Sequence, residues 1–288
     1  MTTSDPSAPD PGLTDLAQRG GLALVGCGKM GGALLEGWLA AGLAPEATLV
    51  VEPAPTPSLA ARLGALGVRL ALNVPEAPAP VGALVMAVKP QMMGAALPHA
   101  TTLLGPDAVL MSVAAGSPIA LFEAAAPGAA VVRAMPNTPA SIGAGVTALV
   151  ANAAASPAQR ALAEALARVV GETLWLESEA QMDAVTGVSG SGPAYVFHMI
   201  EALAAAGAAE GLPQDLAMRL ARATVSGAGA LAAASEESAE TLRRNVTSPG
   251  GTTAAGLDEL MHERDGLTPL MRRTVAAAAA RSRALAKG

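Results

Sequence analysis

The sequence contains few aromatic side chains, one cysteine and no excess of positive charge. Two Trp, one Tyr and two Phe make up 2% of the 288 residues, although 51% are apolar, so aliphatic and small side chains must form most of the core. Lys and Arg number 18 against 24 Asp and Glu, a net charge of −6, which disfavours nucleic-acid binding. The single cysteine, Cys27, excludes an intrachain disulfide framework and favours a reducing, cytoplasmic compartment.

Long apolar runs and metal-binding patterns are also missing. Polar residues interrupt the apolar stretches before they reach the roughly 18 residues of a membrane span, so no membrane association is expected. The three histidines form no H-E-x-x-H motif and there is no G-x-S-x-G motif, so neither a metal site nor a hydrolase elbow is predicted. The expected partner is a small molecule.

The pattern along the chain predicts a tail and two domains. Residues 1–20 contain three prolines and no apolar block behind a basic start, which predicts a disordered tail and not a secretory signal. From 21 to 177, β-rich runs alternate with helical stretches, an order typical of a Rossmann-type, doubly wound parallel sheet. Residues 178–288 contain only helical patterns and are expected to form an all-α domain. The predicted strands are Leu22–Val25, Thr48–Glu52, Val68–Leu72, Ala83–Val88, Ala108–Val113, Ala130–Arg133, Val146–Val150 and Thr173–Leu176.

A dinucleotide fingerprint follows the first predicted strand. Gly26-Cys27-Gly28-Lys29-Met30-Gly31 is a complete G-x-G-x-x-G at a strand-to-helix junction. Gly26 permits the tight turn, Gly28 allows close approach of a pyrophosphate, and Gly31 allows the helix to pack on the strand. The free amides at the helix start favour an anion. We therefore predict that these residues, including Lys29 and Met30, bind a dinucleotide.

An acidic residue ends the second predicted strand. Glu52 stands where a carboxylate accepts the ribose hydroxyls of NAD, and Pro53, Ala54 and Pro55 follow it in place of an arginine for the 2′-phosphate of NADP. On these grounds NADH is the expected cofactor. The alternative is a solvated glutamate at the end of a strand.

The polar residues are concentrated in a few loops. Lys89, before Pro90, follows the fourth predicted strand and faces either the ligand crevice or solvent. A stiff loop, MPNTP at 135–139, holds an amide and a hydroxyl between two prolines. Two Gly- and hydroxyl-rich helix starts, within 183–195 and 245–254, together predict a substrate site, and the second is a candidate carboxylate nest. The alternative for each is ordinary helix capping.

Taken together, these loops resemble those of the pyrroline-5-carboxylate reductase family. The matching segments occur in the family's order and are GCGKMGGAL, AVKPQ, RAMPNTPA, DAVTGVSGSGPAYVF, GLP and NVTSPGGTTAAGL. The resemblance implies hydride transfer from NAD(P)H to the C=N carbon of (S)-1-pyrroline-5-carboxylate, which gives L-proline. It also implies that the helical domain forms a homodimer and the substrate pocket, and that dimers assemble into larger rings.

The resemblance also implies roles for individual residues. The substrate would be held by Ser248, Gly250, Gly251, Thr252, Thr253 and Glu236, with the Thr253 hydroxyl bonded to the ring nitrogen as the catalytic contact. The cofactor would be contacted, besides the fingerprint and Glu52, by Asn73, Ala87, Val88, Lys89, Pro90, Met135, Asn137, Thr138 and Asn245, of which Met135, Asn137 and Thr138 would line the nicotinamide.

One departure and two alternatives remain. Many relatives have polar or basic residues after the second strand that suit NADPH, whereas this chain has Glu52-Pro53-Ala54-Pro55. A β-hydroxyacid dehydrogenase would need a lysine base in the second domain, and no lysine occurs between Ser178 and Ala286. A nucleotide-sensing oligomer without turnover is the alternative from another functional class.

Overall fold

The computed structural model describes residues 10–285, and its strands form one sheet. The strands are β1 (Leu22–Val25), β2 (Thr48–Val51), β3 (Arg69–Ala71), β4 (Val81–Met86), β5 (Leu104–Ser112), β6 (Ala130–Met135), β7 (Gly145–Ala151) and β8 (Gly171–Trp175). Their order is β3-β2-β1-β4-β5-β6-β7-β8. All neighbours are parallel except β6 and β7, which are antiparallel because a short 3₁₀ turn, and no crossover helix, joins them. The predicted Rossmann-type sheet is confirmed.

Helices fill the connections and follow the sheet. Within the described residues they are α1 (Pro11–Leu16), α2 (Lys29–Ala40), α3 (Pro57–Leu66), α4 (Pro90–Ala100), α5 (Ile119–Ala125), α6 (Pro157–Arg168), α7 (Met182–Val185), α8 (Gly192–Ala209), α9 (Gln214–Ala234), α10 (Ala239–Asn245), α11 (Thr252–Leu260) and α12 (Leu267–Leu285). Local chemistry fixes several starts: α3, α4 and α6 each begin with proline, and Ser156 and Gln159 form a capping box at α6.

The sheet is buried on both faces. On β1, Leu22 and Leu24 join one apolar cluster with Trp38, while Ala23 and Val25 join a second cluster on the other face. This alternation is the period of two that a strand imposes on its side chains. The fully buried Trp38 donates its indole N–H to the carbonyl of Leu166 at 2.8 Å. With so few aromatic residues, the layers are filled mainly by Leu, Val, Ala and Met.

The prediction of a disordered tail is wrong for residues 10–19. Asp10 caps α1 by accepting from the amide of Gly12 at 2.8 Å, and Pro11 occupies the first helical position. Leu13 and Leu16, one helical turn apart, are completely buried in the core. Several prolines in a polar segment are typical of disorder, but Pro11 stands at the first turn of a helix, where proline is favoured. Residues 1–9 of the predicted tail lie outside the described residues.

The chain divides into two compact units. Among the described residues, the sheet unit contains 10–190 and 279–285, and the helical unit is Ser191–Ala278. This division differs from the predicted boundary after Glu177 because residues 179–190 pack with the sheet unit. Met182, for example, is 2% exposed among the core residues of one sheet face.

The helical unit buries little of its own apolar surface. Helices α8 and α9 pack through Ala204, Ala217 and Ala221, small residues that permit a close approach. Larger apolar side chains on the same two helices are exposed, namely Val196, Phe197, Met199, Leu203, Leu216, Leu220 and Leu231. An exposed apolar surface of this extent marks an association surface.

The packing of α1 gives a stability prediction. We expect Leu16→Ala to lower the free energy of unfolding by about 2–4 kcal/mol, because it leaves a cavity at a fully buried site. Leu66→Ala is the matched control, since Leu66 is 43% exposed, and should cost less than about 1 kcal/mol. Urea denaturation at fixed protein concentration measures both. Equal, small effects would show that α1 does not contribute to the core.

Candidate dinucleotide and substrate site

The glycine-rich turn brings three backbone segments into close contact. Gly26 follows β1 with φ +90°, and a β-carbon there would lie 2.9 Å from the carbonyl carbon of Ala87. A β-carbon at Gly31 would meet the carbonyl oxygen of Gly26. Neither position therefore has room for a side chain. The turn depends on glycine at both ends, as the fingerprint predicts.

Gly28, the middle glycine, has a different environment. It precedes Lys29, the first residue of α2, in extended conformation with φ −74°, and no heavy atom lies within 4 Å of the position of its missing β-carbon. The backbone here does not require glycine, but the space beside it is open. An open space at a helix N-terminus suits a pyrophosphate that approaches the backbone amides.

Glu52 lies directly after β2, with its carboxylate directed at the fingerprint. One carboxylate oxygen accepts from the amide of Cys27 at 2.9 Å and the other from the amide of Ala54 at 3.4 Å. The strand ends one residue earlier than predicted. These two bonds hold the negative charge beside the glycine-rich turn.

Cys27 is a buried, inert thiol in this arrangement. Burial, followed by the negative charge of Glu52, raises its pKa from 9.0 to about 11. The thiol is therefore protonated at neutral pH, and a reactive thiolate role is disfavoured.

The end of β4 lies beside the turn. The strand ends at Met86, two residues earlier than predicted, which leaves Ala87 and Val88 half-buried against the fingerprint glycines. Lys89 is exposed at the N-cap of α4, and Pro90 is its first residue. Asn73 is exposed two residues beyond β3.

The MPNTP loop is locked by its asparagine. The side-chain N–H of Asn137 donates to the carbonyl of Ser189 at 3.2 Å, and its oxygen accepts from the amide of Val146 at 3.0 Å. Met135 ends β6, and its terminal methyl lies 2.6 Å from where a β-carbon on Gly190 would be. Thr138 is exposed. The loop and residues 189–190 therefore fit together closely.

A partly buried ion pair beside this loop was not predicted from the sequence. Arg133 on β6, 8% exposed, pairs with Glu179, whose carboxylate also accepts from the amide of Ile119 at 2.8 Å. The available signal was an arginine inside the apolar strand AVVRAM, since a buried charge requires a partner. The identity of that partner, 46 residues away, could not be read from the pattern.

In the helical unit, the predicted substrate residues form one turn. Gly250 has φ +68°, Gly251 caps α11, and Thr252 and Thr253 begin that helix with exposed side chains. The amide of Gly251 donates to the carbonyl of Ser248 at 3.0 Å. The turn thus presents amides and hydroxyls at a helix start.

The turn follows α10, where two other predicted residues lie nearby in sequence. Asn245 ends α10, lines a cavity of about 460 Å³ with Thr241, Arg244 and Thr247, and donates to the carboxylate of Glu237 at 3.2 Å. Glu236, beside Glu237, is exposed. The structure therefore groups the predicted residues within each unit: fingerprint, Glu52 and the β4 end in one, residues 245–253 in the other.

Comparisons with known proteins agree on one family. A family model described as pyrroline-5-carboxylate reductase dimerisation matches residues 179–285, and one described as NADP oxidoreductase, coenzyme F420-dependent, matches 21–116. A pyrroline-5-carboxylate reductase of Pseudomonas aeruginosa is 39% identical, over 92% of this chain and 97% of that protein. The chain belongs to the pyrroline-5-carboxylate reductase family.

Solved structures of the family have the same fold. A pyrroline-5-carboxylate reductase from Coxiella burnetii has a TM-score of 0.86 and 32% identity, over 94% of this chain and all of that one. The Plasmodium falciparum pyrroline carboxylate reductase, solved with NADP bound, has a TM-score of 0.77 and 28% identity, over 92% and 98% of the two chains. The sheet unit of this chain is accordingly that of an NAD(P)-binding oxidoreductase.

Residues 10–285 contain neither a metal-binding cluster nor a membrane-spanning helix. No cluster of three or more His, Cys, Asp or Glu side chains in this part of the chain is arranged to hold a metal ion. No helix in it is long and apolar enough to cross a membrane.

The open space at Gly28 gives a binding prediction. We expect Gly28→Ala to raise the Kd for NADH about tenfold or more, because the added methyl group would occupy the space proposed for the pyrophosphate. The melting temperature should stay nearly unchanged, because the methyl group meets no protein atom. Gly32→Ala is the matched control: its β-carbon also meets no atom, and it should raise stability by about 0.5–1 kcal/mol as a helical Gly→Ala change. Titration of nicotinamide fluorescence measures Kd. Wild-type affinity in Gly28→Ala would contradict this placement of the pyrophosphate.

Proposed function

We propose that this chain reduces (S)-1-pyrroline-5-carboxylate to L-proline with a nicotinamide cofactor, the last step of proline biosynthesis. The observation that best supports this function is the 39% identity to a pyrroline-5-carboxylate reductase over nearly the whole of both chains. The glycine-rich turn with its open space at Gly28 fits the cofactor, and the amide- and hydroxyl-rich turn at 248–253 fits a small carboxylate substrate.

The sheet unit is proposed to bind the cofactor. The amides at the start of α2 hold the pyrophosphate beside Gly28, while Lys29 and Met30 border it. Ala87, Val88, Lys89 and Pro90, at the end of β4, and Met135, Asn137 and Thr138, after β6, border the nicotinamide. Asn73, after β3, is a further proposed contact of this unit, and Asn245 of the helical unit is a separate proposed contact to the cofactor.

Glu52 supports a preference for NADH. Its carboxylate is held at the turn by the amides of Cys27 and Ala54, so it is placed to accept ribose hydroxyls and to repel a 2′-phosphate. The NADP bound to the Plasmodium relative is therefore not a guide to the preference of this chain.

The helical unit is proposed to bind the substrate. The backbone amides of Gly250 and Gly251, with the hydroxyls of Ser248 and Thr252, hold the carboxylate, and Glu236 borders the pocket. The hydroxyl of Thr253 hydrogen-bonds to the ring nitrogen and fixes the orientation of the C=N carbon. A carboxylate at the N-terminus of α11 is also favoured by the helix dipole.

The reaction requires little acid–base chemistry from the protein. The protonated imine accepts a hydride at carbon, the C=N double bond becomes a single bond, and the nitrogen keeps its proton as the amine of proline. Bound nicotinamide supplies the hydride. The residues of the chain contribute mainly by holding the two reacting carbons face to face and by excluding water.

The assembly and location belong to the same proposal. The exposed apolar side chains of α8 and α9, such as Phe197 at 59% and Leu220 at 49% exposure, support a homodimer formed through the helical unit. Association of dimers into larger rings is proposed from the family resemblance. A cytoplasmic location is favoured by the single, buried free thiol of Cys27.

Thr253 provides a test of the catalytic assignment. We expect Thr253→Ala to lower kcat about a hundredfold, because the contact to the reacting nitrogen is lost, with the Kd for NADH within about twofold of wild type. Thr253→Ser retains the hydroxyl and should keep most of the activity. Oxidation of NADH with pyrroline-5-carboxylate, followed at the nicotinamide absorbance, measures turnover. Unchanged kcat in Thr253→Ala would remove this residue from its role, and nucleotide binding without turnover in wild type would favour the nucleotide-sensing alternative.

Glu52 provides a test of the cofactor assignment. Wild type should have a higher kcat/KM with NADH than with NADPH, and Glu52→Gln should shift the ratio toward NADPH by about tenfold, because it removes the repelling charge while retaining an oxygen that accepts from Cys27. Glu46→Gln, an exposed change before β2, is the control for loss of one negative charge. An unchanged ratio in Glu52→Gln would contradict the ribose contact.

A further inference from the structure

The segment of the sheet unit that precedes the helical unit in sequence has little stability of its own. Residues 179–190 form a 3₁₀ turn, the four-residue helix α7 and a π-helical turn, Thr186–Gly190. Helices of this length are unstable in isolation, and π-helical turns are rare and often occur at functional sites. The position of the segment must therefore be set by its contacts with other elements.

Contacts with the sheet hold both ends of this segment. Glu179 at its start is bound by Arg133 and by the amide of Ile119. At its end, the carbonyl of Ser189 accepts from Asn137, and Gly190 fits against Met135. Asn137 and Met135 are residues that we place beside the nicotinamide, so the end of the segment borders the proposed reaction site.

The middle of the segment is held from the far end of the chain. The hydroxyl of Ser282, on the last turns of α12, donates to the carboxylate of Asp183 at 2.6 Å. The two residues are 99 positions apart, and Ser282 is only 5% exposed. A hydroxyl that donates to a carboxylate forms a strong, charge-assisted hydrogen bond. Ala279, one turn earlier, is also buried, so this end of α12 is packed and not frayed.

We propose that Ser282 is a positioning residue for the reduction. Its bond to Asp183 sets the place of α7 and of the π-helical turn, whose last residues, Ser189 and Gly190, contact Asn137 and Met135 at the proposed nicotinamide position. This inference rests on the proposed function for its effect on turnover. Asp183 acts here as the hydrogen-bond acceptor, and the neutral isostere asparagine would keep an accepting oxygen but form a weaker bond because it lacks the charge.

The first test compares the two side chains of this hydrogen bond. Ser282→Ala should lower kcat/KM for pyrroline-5-carboxylate about tenfold, the factor expected for loss of a hydrogen bond to a charged group. The Kd for NADH should stay within about twofold of wild type, because the fingerprint and Glu52 lie on other elements. Ser282→Thr should restore most of the loss. Asp183→Asn retains an oxygen that accepts from Ser282 but loses the charge, so it should lower kcat/KM by a smaller factor than Ser282→Ala.

Thr274→Ala is the matched control on the same helix. Its hydroxyl donates only to the carbonyl of Leu270 within α12, at 3.0 Å, so its removal should leave kcat/KM unchanged. Wild-type kcat/KM in Ser282→Ala would overturn the proposal. A loss that Ser282→Thr does not restore, or one accompanied by an equal loss in Thr274→Ala, would show a general effect on α12 and would also overturn it.

A second measurement does not depend on turnover. Amide hydrogen exchange of residues 183–190 should become about tenfold faster in Ser282→Ala than in wild type, with exchange in β1 and β4 unchanged. Unchanged exchange in 183–190 would overturn the positioning role even if activity fell. If wild type binds NADH but does not reduce pyrroline-5-carboxylate, the proposed function fails, and the exchange result still decides whether Ser282 holds the segment.

Discussion

The cofactor site depends on the close approach of three backbone segments of the chain, at Gly26, Gly31 and Ala87. A side chain at either glycine would collide with backbone atoms, so β1, α2 and the end of β4 can meet only because these side chains are absent. That meeting directs the first amides of α2 toward the open space at Gly28 and brings the amide of Cys27 within reach of Glu52. The positions of the amide groups that line the site are therefore set by the packing of the backbone.

The few charges near the site are used to fix loops. Glu52 and Glu179 each accept from a backbone amide, of Cys27 and Ile119 respectively, and each thereby joins segments that are distant in sequence. Arg133 neutralises the second carboxylate where it is partly buried. A partly buried carboxylate needs hydrogen-bond donors around it. The loops that carry the amides of Cys27 and Ile119 are therefore held in place by the two carboxylates that these amides bind.

The sequence predicted the elements better than the contacts between them. The alternation of β-rich and helical runs located β1 to the residue, because burial on both sheet faces leaves a continuous apolar strand. The prediction of disorder failed at Pro11, because proline is common both in disordered segments and at the first turn of a helix. Arg133 with Glu179, and Ser282 with Asp183, could not be predicted, because hydrogen-bond partners far apart in sequence leave no local pattern.

The helical unit buries few apolar side chains of its own. Its buried apolar side chains, among the described residues, are three alanines, whereas Phe197 and Leu220 are exposed, so a single copy buries too little apolar surface for a stable core. In the proposed dimer, a second copy would cover these side chains and stabilise the unit by mass action.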